Sequence, residues 1–273
     1  MHVELIIMDI LEILGYISAS LIGISLGLIG GGGSILTVPV LVYLMGIAPV
    51  PATAYSLFIV GFSSLIGAGK YSKKKLVSYK TAIVFGIPSL LAVFLTRKFL
   101  VPAIPENLFN IGSFAFTKDI ALMVLFALLM IMASLSMIRG KKEEDSVETP
   151  QVFKYHLIIL EGLLVGTLTG LVGAGGGFLI IPALVVLSKL PMKMAVGTSL
   201  LIIAIKSMIG FLGDVSNMEI DWVFLGIFTL ISGAGIFVGS YLSNFISGSK
   251  LKPAFGWFVL VMGVYILTKE ILF

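Results

Sequence analysis

The chain has no cysteine, which excludes disulfides, thiolate nucleophiles and Cys-based metal sites. Charge is scarce as well. Asp, Glu, Lys and Arg make up 12% of the residues, against roughly 25% in soluble domains. Only two histidines occur, His2 at the N-terminus and His156, and both lie outside the long apolar runs. No His-Glu-x-x-His motif is present, and no pair of carboxylates falls inside an apolar run, so a catalytic set is missing and the chain does not read as an enzyme. No cofactor and no metal is expected. The first residues carry Glu4, Asp9 and Glu12 where a cleavable leader has bases, so no signal peptide is expected.

What the chain has is hydrophobic length. Hydrophobic residues make up 58% of it and the mean hydropathy is +1.14. Residues 13–69, 120–138, 162–188 and 222–249 contain no charged side chain. About 18 apolar residues already suffice for a membrane span, so the fold class is an all-α polytopic membrane protein in contact with the lipid bilayer. The net charge of +4 needs no nucleic-acid partner, because the basic residues fall in loops between spans. Helices are expected over 8–29, 34–46, 50–69, 79–98, 118–139, 155–173, 177–188, 193–212, 222–245 and 253–271. Residues 99–117 read as a polar loop.

Residues 27–69 and 170–212 are two copies of one segment. Aligned without a gap at an offset of 143, 17 of 43 positions are identical, among them Gly27/Gly170, Gly30/Gly173, Gly32/Gly175, Gly33/Gly176, Pro39/Pro182, Ser56/Ser199, Leu57/Leu200 and Gly67/Gly210. The chain therefore divides into a first repeat at 1–139, a linker at 140–151 and a second repeat at 152–273. Each copy opens with a glycine cluster and then a short apolar stretch. Thirteen helical residues rise about 20 Å against a hydrocarbon core of about 30 Å, so these stretches read as broken or re-entrant halves of a hairpin beside three spanning helices per repeat. Such irregular backbone is tolerated at membrane depth only where it is buried or lines a cavity.

The loop after the first copy carries Lys70, Lys73, Lys74, Lys75 and Lys80; its counterpart carries Asp214, Glu219 and Asp221 and no base. Homologous loops of opposite charge imply repeats of inverted topology. With 69–80 in the cytoplasm, thirteen basic residues fall inside and four outside, these being Arg97, Lys98, Lys118 and Lys269. Both termini are then expected outside the cell membrane.

Paired glycine-interrupted segments point to a transporter's binding site. Helix starts within the bilayer present unpaired N–H groups and the positive dipole end, and glycines let a ligand approach the backbone, a combination suited to a small anion. The candidate binding residues are Gly30, Gly31, Gly32, Gly33 and Ser34 in the first break, and Gly173, Gly175, Gly176 and Gly177 in the second. Ser56, Thr198, Ser199 and Lys206 join them, with Tyr55 and Ser207 as further hydroxyl donors. The competing reading is that the glycines serve helix packing, as in Gly23-x-x-x-Gly27 and Gly235-x-x-x-Gly239. Lys206 is the basic residue left inside an expected span; it is either the countercharge to an anion or a side chain snorkelling to the interface. Asp119, Glu161 and Asp214 sit at expected helix ends as interfacial acids, Glu161 being the candidate for coupling to a proton. A coupling sodium ion would leave no side-chain trace.

The segments GLIGGGGSILTVPVLVYLMG…ATAYSLFIVGFSSLIGA and GLVGAGGGFLIIPALVVLSKLP…AVGTSLLIIAIKSMIGFLGD resemble the TauE/SafE family of sulfite and organosulfonate exporters. The resemblance implies a permease for a small sulfur-containing anion, and the chain is read as a secondary transporter working by alternating access. It carries over to Gly30–Ser34, Gly173–Gly177, Ser56 and Ser199, while Lys206 stands outside the shared motif. An anion channel using the same glycine sites is the alternative.

Overall fold

The computed structural model describes residues 2–111, 114–139, 155–186, 188, 190–243, 245 and 248–272. The expected linker 140–151, with Lys141 and Lys142, lies outside the described residues. Helix α1 (His2–Ile29) runs into a tightened 3₁₀ turn, Gly30–Leu36, and then α2 (Thr37–Tyr43); α3 (Pro49–Lys73) and α4 (Tyr79–Leu95) follow. A π segment, Thr96–Leu100, extends α4 into the short α5 (Val101–Ala103). A hairpin of β1 (Asn107–Ile111) and β2 (Phe114–Thr117) leads to α6 (Lys118–Ile138). The second half holds α7 (Tyr155–Val172), α8 (Gly177–Val186), α9 (Met192–Val215), α10 (Trp222–Leu242) and α11 (Gly248–Leu272). Among the described residues, seven helices are long and apolar enough to cross a membrane. Many of their outward-facing residues are large and apolar, such as Ile83, Ile87, Leu212, Leu230 and Val261, as lipid contact requires.

Two expectations are corrected. The 99–117 stretch is not all loop: the helix continues to Ala103, and an antiparallel hairpin follows with Phe109 stacked on Phe116 at 4.8 Å. Phe109, Ile111, Phe114 and Phe116 are residue types that favour strands. Arg97, counted above among outside loop charges, is fully buried inside the π segment.

The main helix contacts join the halves in crossed pairs: α1 with α10, α4 with α7, α3 with α9, and α6 with α11. Exchanging the repeats maps this set onto itself. The match holds residue by residue at the 143 offset. A methyl built on Gly67 would meet Leu200 Cδ1 at 3.2 Å, and one on Gly210 would meet Leu57 Cδ1 at 3.3 Å. Gly61 faces Met208 between these two contacts, so α3 and α9 run antiparallel. Small residues allow the close crossings elsewhere. Gly23 and Gly27 of α1 lie on the backbone of Gly235 and Gly239 in α10, and Gly166 and Gly170 of α7 lie on Ala92 and Thr96, again equivalent pairs. Backbone approach of this kind replaces the hydrophobic drive that lipid removes.

Hydroxyls close the same symmetry. The Asp221 N–H donates to Tyr55 Oη at 2.8 Å, and the Ser78 N–H donates to Thr198 Oγ1 at 2.9 Å. Tyr55 and Thr198 are equivalent positions, as are Ser78 and Asp221, which are the N-caps of α4 and α10. Each hydroxyl satisfies a backbone donor at a helix start.

Gly46 and Gly173 both have positive φ, +66° and +69°, but differ in surroundings: nothing lies within 4 Å of a Cβ on Gly46, while one on Gly173 would sit 2.5 Å from Thr53 Cα. Gly46→Ala should cost roughly 1–2 kcal/mol of left-handed strain. Gly173→Ala should add about 1–3 kcal/mol of overpacking to that. Thermal unfolding of the detergent-purified variants, followed by circular dichroism, measures the difference; equal losses would contradict this packing.

Candidate anion site at the paired glycine breaks

The two glycine breaks touch. A methyl on Gly31 would stand 2.5 Å from Gly177 Cα, and one on Gly177 would overlap the Gly31 backbone. Gly30 and Gly173, with φ of +73° and +69°, turn the chain at equivalent points. Gly30 packs on Val196 and Gly173 on Thr53, which are themselves an equivalent pair. Each break therefore rests on the long helix of the opposite repeat, α9 or α3.

The breaks differ internally. The first, Gly30-Gly31-Gly32-Gly33-Ser34, is wound into the 3₁₀ turn, so its amides are largely taken up by i→i+3 bonds. Gly33 folds back on Ser25 and Leu26 of α1, and Ser34 Oγ donates to Gly31 O at 2.7 Å. The expectation of two equivalent free helix starts holds less well here, because four glycines can tighten the helix without ending it. The second break is an open turn. Gly175 and Gly176 also have positive φ, the Gly176 carbonyl accepts from Leu179 and Ile180, and α8 begins at Gly177. Gly175 faces Ser34: a methyl built on it would meet Ser34 Cβ at 3.4 Å.

Lys206 lies at this second break. It is 1% exposed, its Nζ donates to Thr169 Oγ1 at 2.8 Å, and a methyl on Gly176 would meet that Nζ at 2.9 Å. The ammonium thus turns inward to the glycine turn and not to the helix end. Among the described residues no carboxylate pairs with it.

A second buried base, Arg97, bonds the next residue of α7. Arg97 Nε donates to Asp214 Oδ2 at 2.7 Å, and Nη1 donates to Thr53 Oγ1 at 3.0 Å and to Gly170 O at 3.2 Å. Asp214 is 4% exposed, so its expected place at the interface is corrected. A buried guanidinium keeps a carboxylate beside it because desolvating either ion alone is expensive. Arg97 Nη2 is buried with no acceptor. Sequence reasoning missed this pair. The available signal was positional, since Arg97 is a base at a helix end on the side that the loop charges leave poor in bases.

The hydroxyls divide into committed and free. Thr198 accepts from Ser78, and Ser199 Oγ donates to Val196 O at 2.8 Å within its own helix. Ser56 and Ser207 are fully buried with no hydrogen-bond partner. Such groups are costly to leave unmatched and mark places for a polar guest. Two concavities lie elsewhere: a groove of about 480 Å³ is bordered by Leu95, Thr96, Phe99 and Leu163, and a smaller one by Ser18, Pro39 and Phe258. Glu161 on α7 is half-buried.

A helical bundle with crossed pairs of broken helices and buried cations at their junction defines a polytopic membrane protein of the transporter class. The chain belongs to the sulfite exporter TauE/SafE family, whose model matches residues 16–266. It is similar to a probable membrane transporter protein of Xylella fastidiosa, at 31% identity over 93% of this chain and 94% of the relative. The probable membrane transporter protein YunE of Bacillus subtilis is 32% identical over 82% of this chain and 84% of its own length. A probable membrane transporter protein of Methanocaldococcus jannaschii is 30% identical over 96% of both. No solved structure gives a significant match.

Arg97→Gln and Asp214→Asn should each destabilise the protein by about 3–5 kcal/mol, because each leaves the other ion buried without its partner. The double variant should lose clearly less than the sum of the two. Denaturant or thermal unfolding in detergent checks this, and additive losses would contradict direct pairing.

Proposed function

We propose that this protein is a secondary transporter that carries a small anion, sulfite or an organosulfonate, across the cell membrane by alternating access. The observation that carries the proposal is the buried Lys206 ammonium, with no carboxylate partner among the described residues, held against Gly176 where the two breaks touch. A buried ionisable group inside a span is a functional candidate, and a cation without a counter-ion calls for an anion. The anion is proposed to bind between Gly30–Ser34 and Gly173, Gly175, Gly176 and Gly177, with Lys206 and Ser56 as its side-chain ligands. Thr198 and Ser199 shape the α9 wall of that space.

Residues 1–139 and 152–273 are proposed to be inverted repeats. The antiparallel contact of the equivalent helices α3 and α9 supports inversion, since a two-fold axis normal to the membrane would make them parallel. The bias of basic residues supports a cytoplasmic 69–80 loop with both termini outside. Backbones in contact at Gly31 and Gly177 close the space between the breaks. That favours a carrier, which must move to admit its solute, over a standing anion pore. The family and its relatives support transport over catalysis.

Proteoliposomes preloaded with unlabelled sulfite should accelerate uptake of labelled sulfite, with saturable kinetics. Lys206→Met should lower the initial rate at least tenfold while the protein still elutes as a single species. Ohmic single-channel currents would overturn the carrier reading, and an undiminished rate in Lys206→Met would remove the lysine from the site.

A further inference from the structure

Two buried hydroxyls stand on equivalent residues of the two repeats, where the long helices α3 and α9 cross. Ser64 of α3 and Ser207 of α9 match at the 143 offset. Both are fully buried, and neither Oγ has a hydrogen-bond partner among the described residues. A serine inside a helix ordinarily bonds a carbonyl of its own preceding turn, as Ser134 Oγ does with Ile131 O and Ser199 Oγ with Val196 O. Ser64 and Ser207 do not. The positions just before them differ between the repeats: Ser63 Oγ donates to Ser232 Oγ, while its equivalent, Lys206 Nζ, donates to Thr169 Oγ1. The open hydroxyl is therefore common to both repeats at a point where the adjoining side chains are not.

Helix geometry turns both hydroxyls toward the breaks. Residues four apart share a face of a helix. Ser64 follows Val60 by four, and a methyl on Gly175 would meet Val60 Cγ1 at 2.6 Å. Ser207 follows Ile203 by four, and Ile203 packs on Gly31 and Gly175. The same two faces continue to Thr53, which lies against Gly173, and to Val196, which lies against Gly30. The crossing of the helices brings the serines to one level. Met208, next to Ser207, faces Gly61, and Ser64 lies three residues along α3 from Gly61. The two serines are thus offset by roughly 3–5 Å along the helix axes. They do not bond each other; both face the seam between α3, α9 and the glycine turns.

Resting on the reading of the breaks as an anion site, we infer that Ser64 and Ser207 bind the solute, one from each repeat, each donating its hydroxyl hydrogen to an oxygen of the anion. A serine hydroxyl always carries a hydrogen to donate. In the empty protein that hydrogen meets no acceptor among the described residues, and a buried donor in this condition is costly. An anion oxygen is the acceptor it lacks. Alternating access adds a reason for using an equivalent pair. When inverted repeats exchange conformations, equivalent groups exchange places. An anion held by Ser64 and Ser207 then meets the same two donors in the outward and the inward state. Thr198 and Ser199 are unsuited to this part, because their hydroxyls are committed to Ser78 and Val196.

The test pairs binding with stability, because a serine that serves the fold and one that serves the solute respond differently to alanine. Full-length Ser64→Ala and Ser207→Ala proteins are titrated calorimetrically in detergent with sulfite and with methanesulfonate, at neutral pH. For each anion that the parent binds, either variant should bind roughly tenfold more weakly or worse, the loss expected for one hydrogen bond to a charged group. The melting temperature of each empty variant should equal or exceed the parent's, since the substitution removes a buried donor without an acceptor. A lowered melting temperature, or failure to fold, would give the hydroxyl a structural partner such as a buried water. Unchanged affinity would mean that it does not reach the solute. Either result overturns the inference while leaving the anion site in place. If the parent itself binds neither sulfite nor methanesulfonate, the anion reading falls and this inference falls with it.

Discussion

Gly31 and Gly177 lie backbone against backbone at the centre of the molecule, and no side chain larger than hydrogen fits at either position. Around that contact the rest of the arrangement follows. It brings the 3₁₀ turn of the first repeat against the start of α8 in the second, it seats Gly30 on α9 and Gly173 on α3, and it places Ser34 against Gly175. In a bilayer, apolar side chains gain little by leaving lipid for protein, so close backbone packing and internal hydrogen bonding must hold the helices together. Glycine is the residue that allows both the approach and the left-handed turns at once.

Symmetry supplies the frame and asymmetry supplies the chemistry. Contacts of Gly67 with Leu200 and of Gly210 with Leu57, and the paired caps Tyr55–Asp221 and Thr198–Ser78, repeat so closely that the halves act as one design used twice. The ions break the pattern. Lys206 reaches Thr169 and the turn at Gly176, while Arg97, bound to Asp214, reaches Thr53 of α3 and Gly170 of α7. An open turn with positive-φ glycines leaves room beside it for an ammonium, whereas the 3₁₀ turn of the first break fills its own centre. The polar cluster also explains why the π segment is kept. An extra residue in the turn shifts the face of α4 at the point where Arg97 enters the protein interior.

The fate of the hydroxyls separates scaffold from site. Thr198 and Tyr55 lie within the repeated motif, yet their oxygens are used to hold the starts of α4 and α10, and Ser199 bonds its own helix. Ser56 and Ser207 have no such use. Ser56 and Ser199, of the same type at equivalent positions, therefore differ: Ser199 donates to its own helix and Ser56 has no partner.

The order of the long helices, the two copies and their glycine breaks, and the presence of Lys206 within a span, though not the direction of its side chain, were open to reading from the chain, because period, length and repetition are local properties. The membrane class follows from the same local facts through the scarcity of charge. Three features were decided by tertiary structure. Arg97 and Asp214 are 117 positions apart, each beside a helix end, and looked like interfacial charges until folding buried them together. The strands at 107–111 and 114–117 depend on pairing with each other, which composition signals weakly. Which serine stays free depends on what faces it. Local sequence sets where a helix can run or must break; partners distant in the chain determine whether a polar atom in the bilayer is satisfied or left to receive a solute.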